Sequence, residues 1–258
     1  MNYVLGGLLA LAPADLRVIA ATGGFYGATG RWVEAEEQYA RAFDLGLERA
    51  EAPDFATFQM TVGHFQQARE IWEDALEVDP FNGTAASFLM MAYDKLGEDE
   101  LRRQTDERGQ ARYAQWPDPL DAILIALAED DLNALRVPGR APMLGIVGPF
   151  LDDPGVALER LRELDSGPDR PAPLILFVRS ALAAYLGDAA LGLDLLREFF
   201  SLGMVGNLQR TWYPAFDSVR AEPGFETLLE QLGLPDYWDK YGWPTQCARF
   251  DDGSFDCA

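Results

Sequence analysis

The chain has 258 residues, 48% of them hydrophobic, and a formal net charge of −21 from 42 acidic against 21 basic side chains. This length and apolar content suffice for a sizeable core or one long repeat array and set the chain apart from disordered polymers. The charge disfavours direct binding of nucleic-acid phosphates or an anionic lipid surface, and no apolar run approaches the roughly 18–20 residues that span a bilayer.

At the start, Leu5–Leu11 followed by Pro13 reads as the tail of a helix closed by a proline. The chain is therefore expected to begin inside a repeat, either as an atypical cap or, by preference, as a piece of a longer protein. The same stretch has no Lys or Arg ahead of its apolar run, which argues against a secretion signal. Next, Ile19, Gly23 and Tyr26 share one helix face that ends at Gly30. A second helix from Trp32 carries Ala35, Tyr39, Ala42 and Phe43 on one stripe.

The pattern then recurs. Gly30, Ala35, Tyr39 and Ala42 become Gly63, Ala68, Trp72 and Ala75, 33 positions later, and Gly97 follows Gly63 by 34. Phe55, Gln59 and Val62 precede Gly63, and Pro80 closes that unit. A fixed period of this length predicts stacked helical hairpins. Residues 84–97, with Phe88, Met91 and Tyr93, read as a third first-helix. Its partner, about 98–114, is unusually polar, which predicts a longer, exposed helix.

Prolines 117, 119, 138 and 142 punctuate the middle, where Leu120–Leu135 is apolar enough for one buried helix. Residues 144–165 form a weaker pair with Ala157, Leu161 and Leu164 on one stripe, and Ser166–Pro173 reads as a turn-rich connector. Leu174–Leu186, Gly187 and Leu191–Phe200 restore a hairpin. The expected ranges are regular repeats over 1–114, divergent helical repeats over 115–211 and a C-terminal cap over 212–258.

The ladder resembles tetratricopeptide repeats, closely in two units and partially in two more. That family implies an all-α, right-handed superhelix, here of about five or six helical hairpins. It also implies a concave groove lined by the first helix of each unit, holding a protein or peptide. Mapped onto this chain, the groove candidates are Ala20, Gly24, Gly27, Ala28, Thr57, Met60, Thr61, Ser87, Met91, Asp94 and Lys95. Small residues leave room for a segment and methionines adapt to varied apolar partners. The Lys and Asn set with which some relatives clamp a terminal carboxylate is missing. Alternatively, the groove is filled by the chain's own tail, where Trp238, Tyr241 and Trp243 are large enough to dock.

The tail, from Trp212-Tyr213 through Pro223-Gly224-Phe225, Leu232-Gly233-Leu234-Pro235 and Gly242-Trp243-Pro244 to Cys257, resembles the C-terminal end of repeat domains in bacterial sensor proteins. Those proteins commonly carry a winged-helix transcriptional regulator domain or an adenylate-cyclase-like domain. Neither a basic recognition helix nor a cyclase metal site is present here, so the resemblance carries over no catalytic residue.

Cys247 and Cys257 are the only cysteines. A three-residue loop of Asp251, Asp252 and Gly253, with Gly253 left-handed, sets Cys247 opposite Cys257 within bridging reach. A disulfide would place the protein in an oxidising compartment, periplasmic or extracytoplasmic. Two unpaired thiols in a cytoplasmic protein are the alternative. Two thiolates alone make a poor metal site, and the only histidine, His64, sits in a distant turn, where it is expected to be solvated. Gly6-Gly7 and Gly23-Gly24 are not phosphate loops, and carboxylate runs such as Glu34–Glu37 read as helix exteriors. No catalytic residue, metal or cofactor is expected.

The sequence thus points to a non-catalytic binding, sensory or scaffold domain. A free-standing adaptor, and third an enzyme with an unrecognised cleft, are the alternatives.

Overall fold

The structure, a computed structural model, describes residues 12, 14–112, 119–131, 133, 148, 151–164 and 173–257. The readings placed on Leu5–Leu11, Gly6-Gly7, Pro13, Pro117, Pro138, Pro142 and the connector up to 172 lie outside them. The described chain is helical except for one two-stranded hairpin. It divides into two compact units. One takes residues up to 116 with Val205–Gln209 and Leu229–Ala248; the other takes Pro117–Met204, Arg210–Leu228 and the residues from Arg249 on. These units are discontinuous in sequence. The reason is that the aromatic tail returns to two different cores.

In the first unit, α1 (Leu16–Ala28) starts at Asp15, whose carboxylate accepts from the amides of Arg17 and Val18 at 2.9 and 3.3 Å. α2 (Trp32–Asp44) buries Trp32, Ala35, Tyr39 and Ala42. α3 (Pro53–Thr61) opens on a proline, where the missing N–H is harmless, and α4 (Phe65–Val78) buries Phe65, Ala68, Ile71, Trp72 and Ala75. α5 (Gly83–Lys95) is capped by Asn82, and α6 (Asp99–Arg112) follows. Consecutive helices pair as α1 with α2, α3 with α4 and α5 with α6.

Three inter-helix turns close in one way, as does the end of α2, where Gly46 has φ +102° and Leu47 donates to Ala42 O. Gly30, Gly63 and Gly97 have φ of +76, +85 and +70°. The next residue donates its amide to the carbonyl five positions back: Arg31 to Tyr26, His64 to Gln59 and Glu98 to Tyr93. This closure satisfies carbonyls at the helix end and needs a residue that tolerates left-handed backbone, so the recurring glycine has a conformational cause.

Glycine at position 27 has a different cause. A Cβ there would lie 2.9 Å from Cδ2 of Phe58, so its absence lets α1 and α3 approach. α6 is polar all round, as its composition predicts, and only Gly109 on it is buried.

In the second unit, α7 (Pro119–Ala128) buries Asp121 through Leu124, with Ala126 and Leu127. It ends sooner than the apolar run to Leu135 suggests. Asp130 takes φ +57° and Asp131 donates to Ala126 O at 2.9 Å, a left-handed stop that aspartate tolerates. α8 (Pro154–Glu163) buries Ala157 and Leu161. α9 (Pro173–Tyr185) and α10 (Ala189–Ser201) form a hairpin across Gly187, which repeats the closure with Asp188 donating to Ala183 O. Ser180 Oγ donates to Gly192 O at 2.6 Å, where a side chain on Gly192 would meet Val219 at 2.9 Å. Pro214–Phe216 and α11 (Asp217–Arg220) complete this core with Phe177, Phe199 and Phe216 in ring contact.

The C-terminal hairpin pairs β1 (Cys247–Arg249) with β2 (Phe255–Cys257). Gly253 has φ +87°, Phe250 N donates to Ser254 O at 2.9 Å, and both cysteines are disulfide-bonded. Closing a loop this short stabilises the hairpin by about 3 kcal/mol on the chain-entropy model. Reduction is expected to add two hydrogens to the intact mass and to release the β2 amides to fast exchange while the helical cores stay protected. An unchanged mass would remove the bridge.

Candidate functional site

α1 and α3 enclose a cavity of about 420 Å³ lined by Ala21, Gly24, Phe25, Gly27, Ala28, Asp54, Thr57, Phe58, Thr61 and Gly206. The helix phases explain this lining. At 3.6 residues per turn, Asp54, Thr57, Phe58 and Thr61 share one face of α3, and Gly24, Gly27 and Ala28 face them from α1. Glycines 24 and 27 keep the α1 side of the lining free of side chains and let Phe58 approach the α1 backbone. The wall is apolar, with two threonine hydroxyls. Thr57 and Thr61 turn theirs back to the carbonyls of Pro53 and Thr57 at 3.1 and 2.8 Å.

Asp54 is the only ionisable side chain on the lining, and among the described residues no cationic group pairs with it. The point a Gly24 Cβ would occupy is 3.3 Å from the Tyr39 hydroxyl and 3.6 Å from Asp54 Oδ2. The Tyr39 hydroxyl is buried without a hydrogen-bond partner among the described residues. Burial, then the carboxylates of Asp54 and Glu36, push its pKa far above the usual phenol range.

Of the groove candidates, Gly24, Gly27, Ala28, Thr57 and Thr61 line this cavity. Ala20 packs instead against the cluster of Ile19, Ala42, Leu47 and Ala52. Met60 is 0% exposed and its sulfur accepts from the Trp72 indole at 3.4 Å, because it lies about a third of a turn from Thr61 on α3. Ser87 and Met91 are buried within the unbroken run Ala85–Tyr93, so α5 presents no open face there. Asp94 sits between Lys95 at 3.7 Å and Arg102 at 3.6 Å in a partly exposed cluster at the end of α5.

The tail does not line the cavity. α12 (Phe225–Gln231) leads to α13 (Leu234–Tyr241), which lies against α2, α3 and the His64 turn. Trp238 is 0% exposed and its indole donates to Val62 O at 2.8 Å; Trp32 donates to Leu232 O at 2.6 Å. The Tyr237 ring meets Phe58 edge-on at 5.8 Å, behind the cavity wall.

His64 is buried there, not solvated as its turn position suggests. Its Nδ1 lies 3.0 Å from Gln59 Oε1 and its Nε2 2.8 Å from Gly242 O. Gln59 Nε2 donates to Glu36 Oε2 at 2.9 Å, and the Tyr237 hydroxyl donates to the same oxygen at 2.9 Å. Glu36 is therefore drawn inward, whereas its run reads as a helix exterior. Burial raises the Glu36 pKa against two hydrogen bonds that lower it, and burial lowers that of His64 against the Gly242 contact. No sequence signal marks this chain of contacts, because it joins positions up to 201 residues apart.

A second cavity, about 340 Å³, lies among α4, α5 and α6, with Leu76, Ala86 and Leu89 on its floor and Glu73, Glu77, Arg108 and Arg112 around it. Among the described residues no group of three His, Cys, Asp or Glu side chains is placed to hold a metal ion, and no helix is long and apolar enough to cross a membrane. The chain matches no family model and no curated protein.

Proposed function

We propose that the first unit is a tetratricopeptide-like repeat body that binds a protein or peptide segment in the α1–α3 cavity. It would serve as a sensory or scaffold domain of a bacterial signalling or transcriptional regulator. One observation carries the reading: an apolar cavity between α1 and α3, lined by glycines and bearing, among the described residues, a single unpaired carboxylate, Asp54. Such a site favours a segment with an apolar side chain beside a basic one. The glycine closures at Gly30, Gly63 and Gly97 and the Ala–aromatic–Ala stripes support the repeat reading. The disulfide supports an oxidising, extracytoplasmic setting.

The test is a random peptide library panned on the full chain and on two variants. Selected peptides should carry Lys or Arg next to an apolar residue. Asp54→Asn should weaken them about tenfold, equivalent to about 1.4 kcal/mol. Thr57→Arg, which fills the cavity and reverses its charge, should abolish binding. Peptides that ignore both substitutions would overturn the proposal.

A further inference from the structure

Counting donors and acceptors along the Glu36–Gln59–His64 chain leaves a mismatch. His64 touches two carbonyl oxygens, Gln59 Oε1 and Gly242 O, yet a neutral imidazole has one N–H to give. Turning the Gln59 amide over repairs the histidine and moves the fault, because the Gln59 carbonyl then faces the Glu36 carboxylate. Amide orientation is an assignment, so both forms count.

Two arrangements satisfy every contact. In one, an imidazolium donates to both carbonyls, and the Gln59 amide donates to ionised Glu36. In the other, neutral His64 donates from Nε2 to Gly242 O and accepts at Nδ1 from the turned Gln59 amide, whose carbonyl accepts from a protonated Glu36. Each holds one proton more than neutral histidine with ionised glutamate.

We infer that Glu36, Gln59 and His64 form a proton-binding site, occupied by one proton when the tail is docked, and that this site makes the attachment of α13 pH-dependent. The inference does not depend on what the cavity binds. The second arrangement is favoured, since burial raises the pKa of Glu36 and lowers that of His64.

The surroundings do not replace the proton. From α13 the site faces Tyr237, which donates to Glu36, with the Tyr241 ring tilted against it at 4.9 Å. From α2 and α3 it faces the Tyr39 hydroxyl and, beyond it, Asp54. The nearby cation, Lys240, is exposed and held by Glu37 at 2.9 Å.

The sign follows from the proton inventory. The reference is a detached tail in which the two groups are taken at the ordinary carboxylate and imidazole values of 4.5 and 6.5. Between these they hold one proton, as the docked site does, so docking is level there. Above 6.5 the detached pair holds none, docking takes up a proton, and attachment weakens as pH rises, by up to tenfold per unit, until the site loses its proton. Below 4.5 the detached pair holds two, and attachment weakens as pH falls.

Glu36→Gln is the deciding variant. The amide nitrogen it introduces has two N–H groups, one to give to the Gln59 carbonyl and one to the Tyr237 hydroxyl oxygen, so the contacts at this position are met without the extra proton. Exchange protection of the Trp238–Gly242 amides, taken as the ratio of wild type to E36Q at each pH so that intrinsic rates cancel, should fall by up to tenfold per pH unit between about pH 6.5 and 8.5. A constant ratio, the result of a merely structural Glu36, would overturn the inference. Should E36Q fail to fold, carbon NMR of the wild-type His64 ring, the single histidine, and of the Glu36 carboxyl decides at about pH 8, where groups with ordinary values would hold no proton between them. Either a protonated Glu36 beside neutral His64 or an imidazolium beside ionised Glu36 supports the site; neutral His64 beside ionised Glu36 rejects it.

Discussion

Trp238→Ala is expected to destabilise the first unit by about 3–5 kcal/mol, the range for emptying a fully buried tryptophan site. The indole is 0% exposed, meets Trp243 at 5.0 Å, and donates to Val62 O. Two losses therefore add. The ring leaves a cavity, and the Val62 carbonyl at the end of α3 is stranded, itself about 1–3 kcal/mol. Trp238→Phe separates them, since it keeps most of the volume and removes only the donor. The order wild type, W238F, W238A in denaturant midpoint checks this. An alanine variant as stable as wild type would mean that α13 is not an integral part of the unit.

Asp121→Ala is expected to cost about 3–5 kcal/mol in the second unit, the range for removing one partner of a buried ion pair. Asp121 on α7 is 1% exposed and accepts from Arg210 Nε at 2.8 Å; Arg210 itself is 14% exposed. The loss is that of the charge-assisted contact between the two side chains. Asp121→Asn keeps an acceptor and removes only the charge, and should cost clearly less. Replacing both residues by apolar ones of similar volume, Asp121→Leu with Arg210→Met, should recover much of the loss. Urea unfolding of the three variants measures this; a double variant no better than D121A would show that the pair contributes more than mutual neutralisation.

The helices of the first unit are legible in the sequence because local chemistry specifies them. A glycine that must take positive φ, an alanine where two helices touch and an aromatic one turn later recur 33 residues on. Trp32, Ala35, Tyr39 and Ala42 are matched by Phe65, Ala68, Trp72 and Ala75, and all eight are buried. Thr57 and Thr61 are legible as cavity residues for the same reason, since they share a helix face.

Met60 shows where such reasoning stops. Residue type suggests an adaptable surface, but helix phase turns it under Trp72. Ser87 and Met91 lie on a helix buried along most of its length, which a single-face reading of α5 does not anticipate. The contacts of Trp238 and His64 end on backbone carbonyls, which any residue supplies, so nothing in the side-chain pattern announces them. The C-terminal hairpin is the opposite case: its register follows from one glycine and a count of residues.

The return of residues 234–241 to helices formed by residues 16–78 bears on how the chain is made. A ribosome delivers α1 to α6 well before it delivers α13. At 5–20 residues per second the interval is on the order of 10 s. Through it, Trp32, the Val62 carbonyl and His64 lack the partners that bury them in the finished molecule. Chaperone capture of nascent chains should therefore be strongest between the emergence of α6 and that of α13, and ribosome-bound chains halted in that window should be the most readily cut by protease.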